Sequence, residues 1–137
     1  MTEELITTDN LSKEFLKSVL DSAFMETSYD EEGDLRAKDR VNCYILPSQD
    51  RKDRVRLLSI FAFKPEASPM QRFEFVNQVN YNYFWVRAVV GKNDRILFTY
   101  DIPVAGGITK KAFVLMVKRF CSIPHDAVAD YGKEIVV

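Results

Sequence analysis

Two cysteines, one histidine and five glycines in 137 residues leave little material for the commonest chemistries. Cys43 and Cys121 are too few for a disulfide framework, and a chain built without one reads as a protein of the reducing cytoplasm. His125 follows Pro124 at an expected helix start and has no adjacent cysteine, so neither a metal site nor a cysteine–histidine dyad is expected. Glycine is too sparse for a phosphate-binding loop, because Gly106-Gly107 lacks a further glycine or a lysine at the needed offset. No apolar run approaches the ~20 residues of a membrane helix. Met1 to Asp9 has no basic group and no long apolar stretch, so no secretory signal is expected there. Charge of neither sign dominates: 19 basic side chains stand against 20 acidic ones. A generic polyanion binder would be clearly basic, so affinity for nucleic acid is not expected. No catalytic, cofactor-binding or metal-binding residues emerge from this reading, and no cofactor is expected.

Against these absences, 47% hydrophobic and 28% charged residues describe a chain able to bury a core, expected as a single domain over 1–137. Its charge is unevenly placed. Residues 1–50 carry 12 acidic and 5 basic side chains, and residues 51–137 carry 8 and 14. The acid peaks at Asp30-Glu31-Glu32-Gly33-Asp34 and the base at Arg51-Lys52-Asp53-Arg54-Val55-Arg56. The ordinary reading of both is a solvated turn; the alternative is a patch for a partner or for a second copy. The acidic run has part of a calcium-loop pattern, but Val41 stands where the closing glutamate belongs.

Periodicity places the elements. Leu11, Phe15, Leu16, Val19, Leu20, Ala23 and Phe24 form one apolar stripe, so a first helix is expected over about 9–25, capped by Asp9 or Asn10. Strands are expected at Thr27–Asp30 and Leu35–Pro47 about the Gly33 turn, the second with Val41, Cys43 and Ile45 on one face. Arg54–Lys64 alternates with both faces largely apolar, as a central strand does. Ser68-Pro69-Met70-Gln71 is a capping box that opens a second helix ending near Asn80–Asn82, with Met70, Phe73, Val76 and Asn80 on its stripe. A hairpin follows, its two alternating strands joined at Gly91-Lys92-Asn93-Asp94. Thr109 caps a third helix that Pro124 is expected to break. One core is expected from Phe61, Phe63, Phe73, Phe98 and Phe113. The order α-β-β-β-α-β-β-α, with strands in meanders between helices, is that of an α+β fold on an antiparallel sheet.

Tyr81-Asn82-Tyr83-Phe84-Trp85 sets four aromatics in five residues at a helix-to-strand junction. With Phe84 directed to the core, Trp85 is expected on the opposite sheet face, which Leu58 and Ile60 share. Either this chain covers that face, or the face receives a partner. Tyr83, Trp85, Leu58 and Ile60 are the candidate partner or dimer-interface residues.

Three further stretches carry a resemblance: Phe75-Val76-Asn77-Gln78-Val79-Asn80 leading into Trp85-Val86-Arg87-Ala88, then Arg95 to Val104, then the Gly106-Gly107-Ile108-Thr109 corner. Together they resemble the YbjN-type family of small bacterial proteins, labelled sensory transduction regulators. That family is similar in fold to the class I type III secretion chaperones, which are commonly dimeric. The resemblance spans about Asp9 to Phe120, is most specific over 73–120, and brings no catalytic residues with it. It implies a non-enzymatic cytoplasmic module, chaperone-like or regulatory, working as a homodimer that holds a partner protein or segment. The alternative is a small-ligand sensor or enzyme with a pocket between the sheet and helix three, where Arg87 beside Trp85 would meet an anion.

Overall fold

The computed structural model describes residues 4–137; Met1–Glu3, which open the segment read above for a secretory signal, lie outside the described residues. Helix α1, Lys13–Ser22, precedes four strands: β1 Glu26–Tyr29, β2 Leu35–Asp39, β3 Val41–Pro47 and β4 Arg54–Ala62. Helix α2, Pro69–Asn82, leads to the hairpin of β5 Arg87–Val90 and β6 Arg95–Pro103. Helix α3, Lys110–Ala127, ends in a π-helical turn, Val128–Gly132. The strands form one antiparallel sheet in the order β1-β2-β3-β4-β6-β5. The α+β class is therefore as expected, with one strand more than the order read from the sequence.

That extra strand arises at Arg40, whose φ of 68° reverses the chain inside the expected strand Leu35–Pro47. Leu35 pairs with Ile45 and Ala37 with Cys43, so all four side chains share the core face. The reversal preserves the alternation, and the hairpin reads in sequence as one long strand.

Helix α1 is shorter than 9–25. Ser12 caps it, its hydroxyl accepting from the Phe15 amide at 3.1 Å. Asn10 is engaged elsewhere: its carboxamide donates to the Leu5 carbonyl and accepts from the Thr7 amide, both at 2.8 Å. Helix α2 begins as expected. The Ser68 hydroxyl accepts from the Gln71 amide at 3.1 Å, and the Gln71 carboxamide accepts from the Ser68 amide at 2.8 Å. The expected phase of its stripe is corrected, because Phe75 and Val79, four residues apart, are the buried pair. Phe73 lies nearly opposite Phe75 on a helix of 3.6 residues per turn, and it is 59% exposed.

The core phenylalanines are accordingly Phe63, Phe75, Phe98, Phe113 and Phe120, with Phe61 half-buried at their margin. Phe75 meets Phe63 and Phe98 edge-on, with centroids 5.8 and 6.4 Å apart, and Phe61 meets Phe98 at 5.4 Å. These edge-to-face pairs add to the area that each ring buries.

Pro124 does not break α3; it lies buried inside the helix, which runs on to Ala127 before widening into the π turn. The chain then returns to the sheet. The Lys64 amide donates to the Ile135 carbonyl at 2.7 Å, the Val137 amide to the Ala62 carbonyl at 2.9 Å, and Phe63 and Val136 form an antiparallel bridge. Gly132 permits this approach, since a Cβ there would sit 2.8 Å from Val136 and 2.9 Å from Phe75.

Candidate functional site

The helices pack against one face of the sheet. Helix α1 lies against β1–β3, helix α3 against β2–β4, and α2 against β5. The space between the sheet and α3, where a ligand pocket was the alternative expectation, is filled by Cys43, Leu57, Phe113, Val117 and Cys121, none of which has any exposed surface. The Cys121 thiol beside Cys43, and then burial, push the Cys43 thiol well above its ordinary pKa. Both cysteines are thus small buried core residues, and Cys43 is held in the unreactive thiol form. Among the described residues, no three histidine, cysteine, aspartate or glutamate side chains converge as a metal would require.

No helix among the described residues covers the opposite face. Register sets its side chains in rows across the strands. Tyr44 on β3 opposes Leu58 on β4, which opposes Thr99 on β6, which opposes Arg87 on β5. One row along, Ile60 opposes Leu97, which opposes Val89. In the other direction, Leu46 opposes Arg56, which opposes Asp101. Arg56 and Asp101 form a bidentate pair at 2.8 and 3.0 Å. The Arg56 guanidinium holds the Asp101 carboxyl below its ordinary value, and Asp101 in turn raises Arg56.

The middle of this face is apolar. Tyr44, Leu46 and Leu58 are half-buried by their neighbours alone, and Ile60 is 42% exposed. With the β1–β2 turn they bound a groove of about 520 Å³, rimmed by Asp30, Glu31, Glu32 and Asp34, with Arg36 in its wall. The acidic turn is held by its own side chain: Asp30 Oδ1 accepts from the amides of Glu32 at 3.0 Å and Asp34 at 2.8 Å, and Gly33 takes a φ of 86°.

The aromatic junction is built differently from the sequence expectation. The strand begins only at Arg87, so Phe84 and Trp85 precede it, and Phe84 is 83% exposed where it was expected in the core. Trp85, at a φ of 63°, stacks on Tyr100 with centroids 6.4 Å apart. Tyr100 opposes Leu57 and so belongs to the helix side of the sheet. Tyr83 is half-buried; its hydroxyl donates to Asp130 and its ring meets Tyr131 edge-on. Burial, and then the Asp130 carboxylate, raise the Tyr83 phenol above its ordinary pKa.

Of the four candidate residues, the structure thus brings Leu58 and Ile60 together on the open face and sets Tyr83 and Trp85 at the end of α2. The neighbours Tyr44, Leu46, Leu97 and Val89 were missed there. Tyr44 and Leu46 alternate with Cys43 and Ile45, so the signal lay in the sequence. A second exposed feature was also missed. Met70, Phe73, Asn77 and Tyr81, at spacings of 3, 4 and 4, form one outward stripe on α2, with Phe84 and Trp85 exposed just beyond it.

Comparison with known proteins adds the following. The model of the YbjN family, described as "Putative bacterial sensory transduction regulator", matches residues 12–129. The fold is similar to that of E. coli YbjN, described as "a putative transcription regulator", at 12% identity and a TM-score of 0.77, over 93% of this chain and 96% of that one. It is also similar to a protein of Methanothermobacter thermautotrophicus at 18% identity and a TM-score of 0.66, over 90% and 99%. The Yersinia pestis type III secretion chaperone SycH, solved in complex with a stable fragment of YscM2, is 16% identical with a TM-score of 0.50, over 85% and 97%. No curated protein matches the chain in sequence. The resemblance read from the helix, hairpin and double-glycine corner is borne out, as is the chaperone-like fold. No helix among the described residues is long and apolar enough to cross a membrane.

Proposed function

The chain belongs to the YbjN family, and from that premise we propose that it is a non-enzymatic protein-binding module of the cytoplasm, chaperone-like or regulatory, that works as a homodimer and holds a partner protein or segment. The observation that carries this reading is the presence of two separate uncovered apolar surfaces on so small a fold. Contiguous exposed apolar surface marks an interaction site in a folded domain.

The α2 stripe suits self-association. Met70, Phe73 and Tyr81 lie on one straight ridge, which can meet its own copy about a two-fold axis. Trp85 and Phe84 extend that ridge, and Tyr83 fixes them at the surface through Asp130 and Tyr131. An interface of this kind needs at least ~1,000 Å² in total, with aromatic side chains near its centre. The outer sheet face suits the partner. Leu58 and Ile60 lie in a shallow extended groove, the shape that receives a segment rather than a small molecule. The complex of SycH with a fragment of YscM2 shows a protein of this fold with a protein bound and lends support to this reading.

Light scattering tests the dimer, and pull-down from a bacterial lysate with the native chain and with Ile60→Ser tests partner holding. A monomer at all concentrations would remove the first part. A set of captured proteins unchanged by Ile60→Ser would remove the second.

A further inference from the structure

The groove over the outer face has a charge as well as a shape. Among the described residues, Glu31, Glu32 and Asp34 form no ion pair, and the nearby Lys13 ammonium donates to the Gly33 carbonyl at 2.7 Å. Four carboxylates on the rim face one guanidinium, Arg36. The next charges on the same face are the paired Arg56 and Asp101, with the cations Lys38 on β2 and Arg87 on β5 further along it. The four rim carboxylates outnumber Arg36 and Lys13, so the field is negative at the turn end of the apolar floor, and low-dielectric walls strengthen it there.

We propose that this groove takes a basic amphipathic segment of a partner protein, in which lysine or arginine alternates with large apolar side chains. The proposal rests on the reading above that the outer face holds a protein segment, and it names the chemistry of that segment. Apolar side chains would cover Leu46, Leu58 and Ile60, and cationic ones would reach Glu31 and Glu32. An acidic segment would set like charges against the rim, which opposes binding. A second copy of this chain fits less well. In its basic stretch, residues 51–56, Arg54 is already paired with Asp50 and Asp53 and Arg56 with Asp101, and Val55, the one apolar side chain there, is buried.

Anisotropy titration of the full chain with three labelled peptides tests this: alternating leucine and lysine, alternating leucine and glutamate, and alternating glycine and lysine. The leucine–lysine peptide is expected to bind at least about tenfold tighter than either of the others, with an affinity that falls as salt rises. Ile60→Ser should weaken it, and the double variant Glu31→Gln/Glu32→Gln should abolish its advantage over leucine–glutamate. If leucine–glutamate binds as tightly as leucine–lysine, or the double variant keeps the full preference, the basic partner is overturned while the outer face remains a protein-binding surface. Equal binding of glycine–lysine and leucine–lysine would mean that the acidic turn attracts charge alone, which also overturns the proposal. If neither leucine peptide binds, or Ile60→Ser has no effect, the reading of the outer face fails and the proposal fails with it.

Discussion

The carboxamide of Asn80 on α2 hydrogen-bonds both backbone groups of Ala88 on β5: it donates to the Ala88 carbonyl at 3.0 Å and accepts from the Ala88 amide at 2.8 Å. One side chain thereby occupies the place of a seventh strand along this part of the sheet edge. It covers groups that would otherwise be open to another chain, and it ties the aromatic end of α2 to the hairpin. Asn80→Ala should lower stability by about 1–3 kcal/mol, two net hydrogen bonds on the usual scale. Asn80→Asp should not restore it, because a carboxylate cannot donate to the Ala88 carbonyl. Urea midpoints of the three proteins check this.

Ser68→Ala should cost ~1 kcal/mol, since the capping box is formed in both directions. A midpoint energy changed by less than a few tenths would show that the helix start does not use the cap.

Phe98 and Phe73 should behave oppositely. Phe98 has no exposed surface and touches Phe61 and Phe75, so Phe98→Ala should cost about 3–5 kcal/mol. Phe73→Ala, on the exposed stripe of α2, should change monomer stability by no more than ~0.5 kcal/mol. Chemical denaturation at low protein concentration separates the two.

Acid should expose the Arg56–Asp101 pair. The Asp101 carboxyl titrates below its ordinary 3.8 because Arg56 donates to it. A group whose folded pKa is depressed stabilises the fold above its unfolded value, and that stability is lost as pH falls through the folded value. The loss therefore begins below about pH 4 and deepens with further acid. The pair is exposed by about two-fifths, so its contribution is only about 0.2–1 kcal/mol. Asp101→Asn should flatten this part of the acid limb, measured as urea midpoints at pH 5 and pH 3. An identical slope in native and variant proteins would contradict the assignment.

Much of the fold was legible because local signals agreed with it. Ser68 and Gln71 gave the start of α2, and the Gly91–Asp94 turn gave the hairpin. Legibility failed where two arrangements share one pattern. The Arg40 reversal keeps the alternation of its strands, and Phe73 and Phe75 sit on opposite faces of a helix whose apolar residues face both ways. Pro124 marks a helix break by local rules, yet tertiary packing carries α3 through it. The bridge from Val136 to Phe63 joins residues too far apart in sequence for any local signal. For the candidate site, the alternation of β4 placed Leu58 and Ile60 correctly together, whereas Phe84 and Trp85 left the pattern because the backbone turns at Trp85 before the strand begins.

The proposed homodimer is built on the exposed aromatic stripe of α2. Light scattering over a wide dilution range, on the native chain and on Phe73→Glu, tests it most directly. The account predicts a mass of twice 15.8 kDa for the native chain at micromolar concentration, and a shift toward the monomer in the variant, because a charge would be forced against an apolar surface. A native mass of 15.8 kDa at every concentration, or a dimer of unchanged strength after Phe73→Glu, would contradict it.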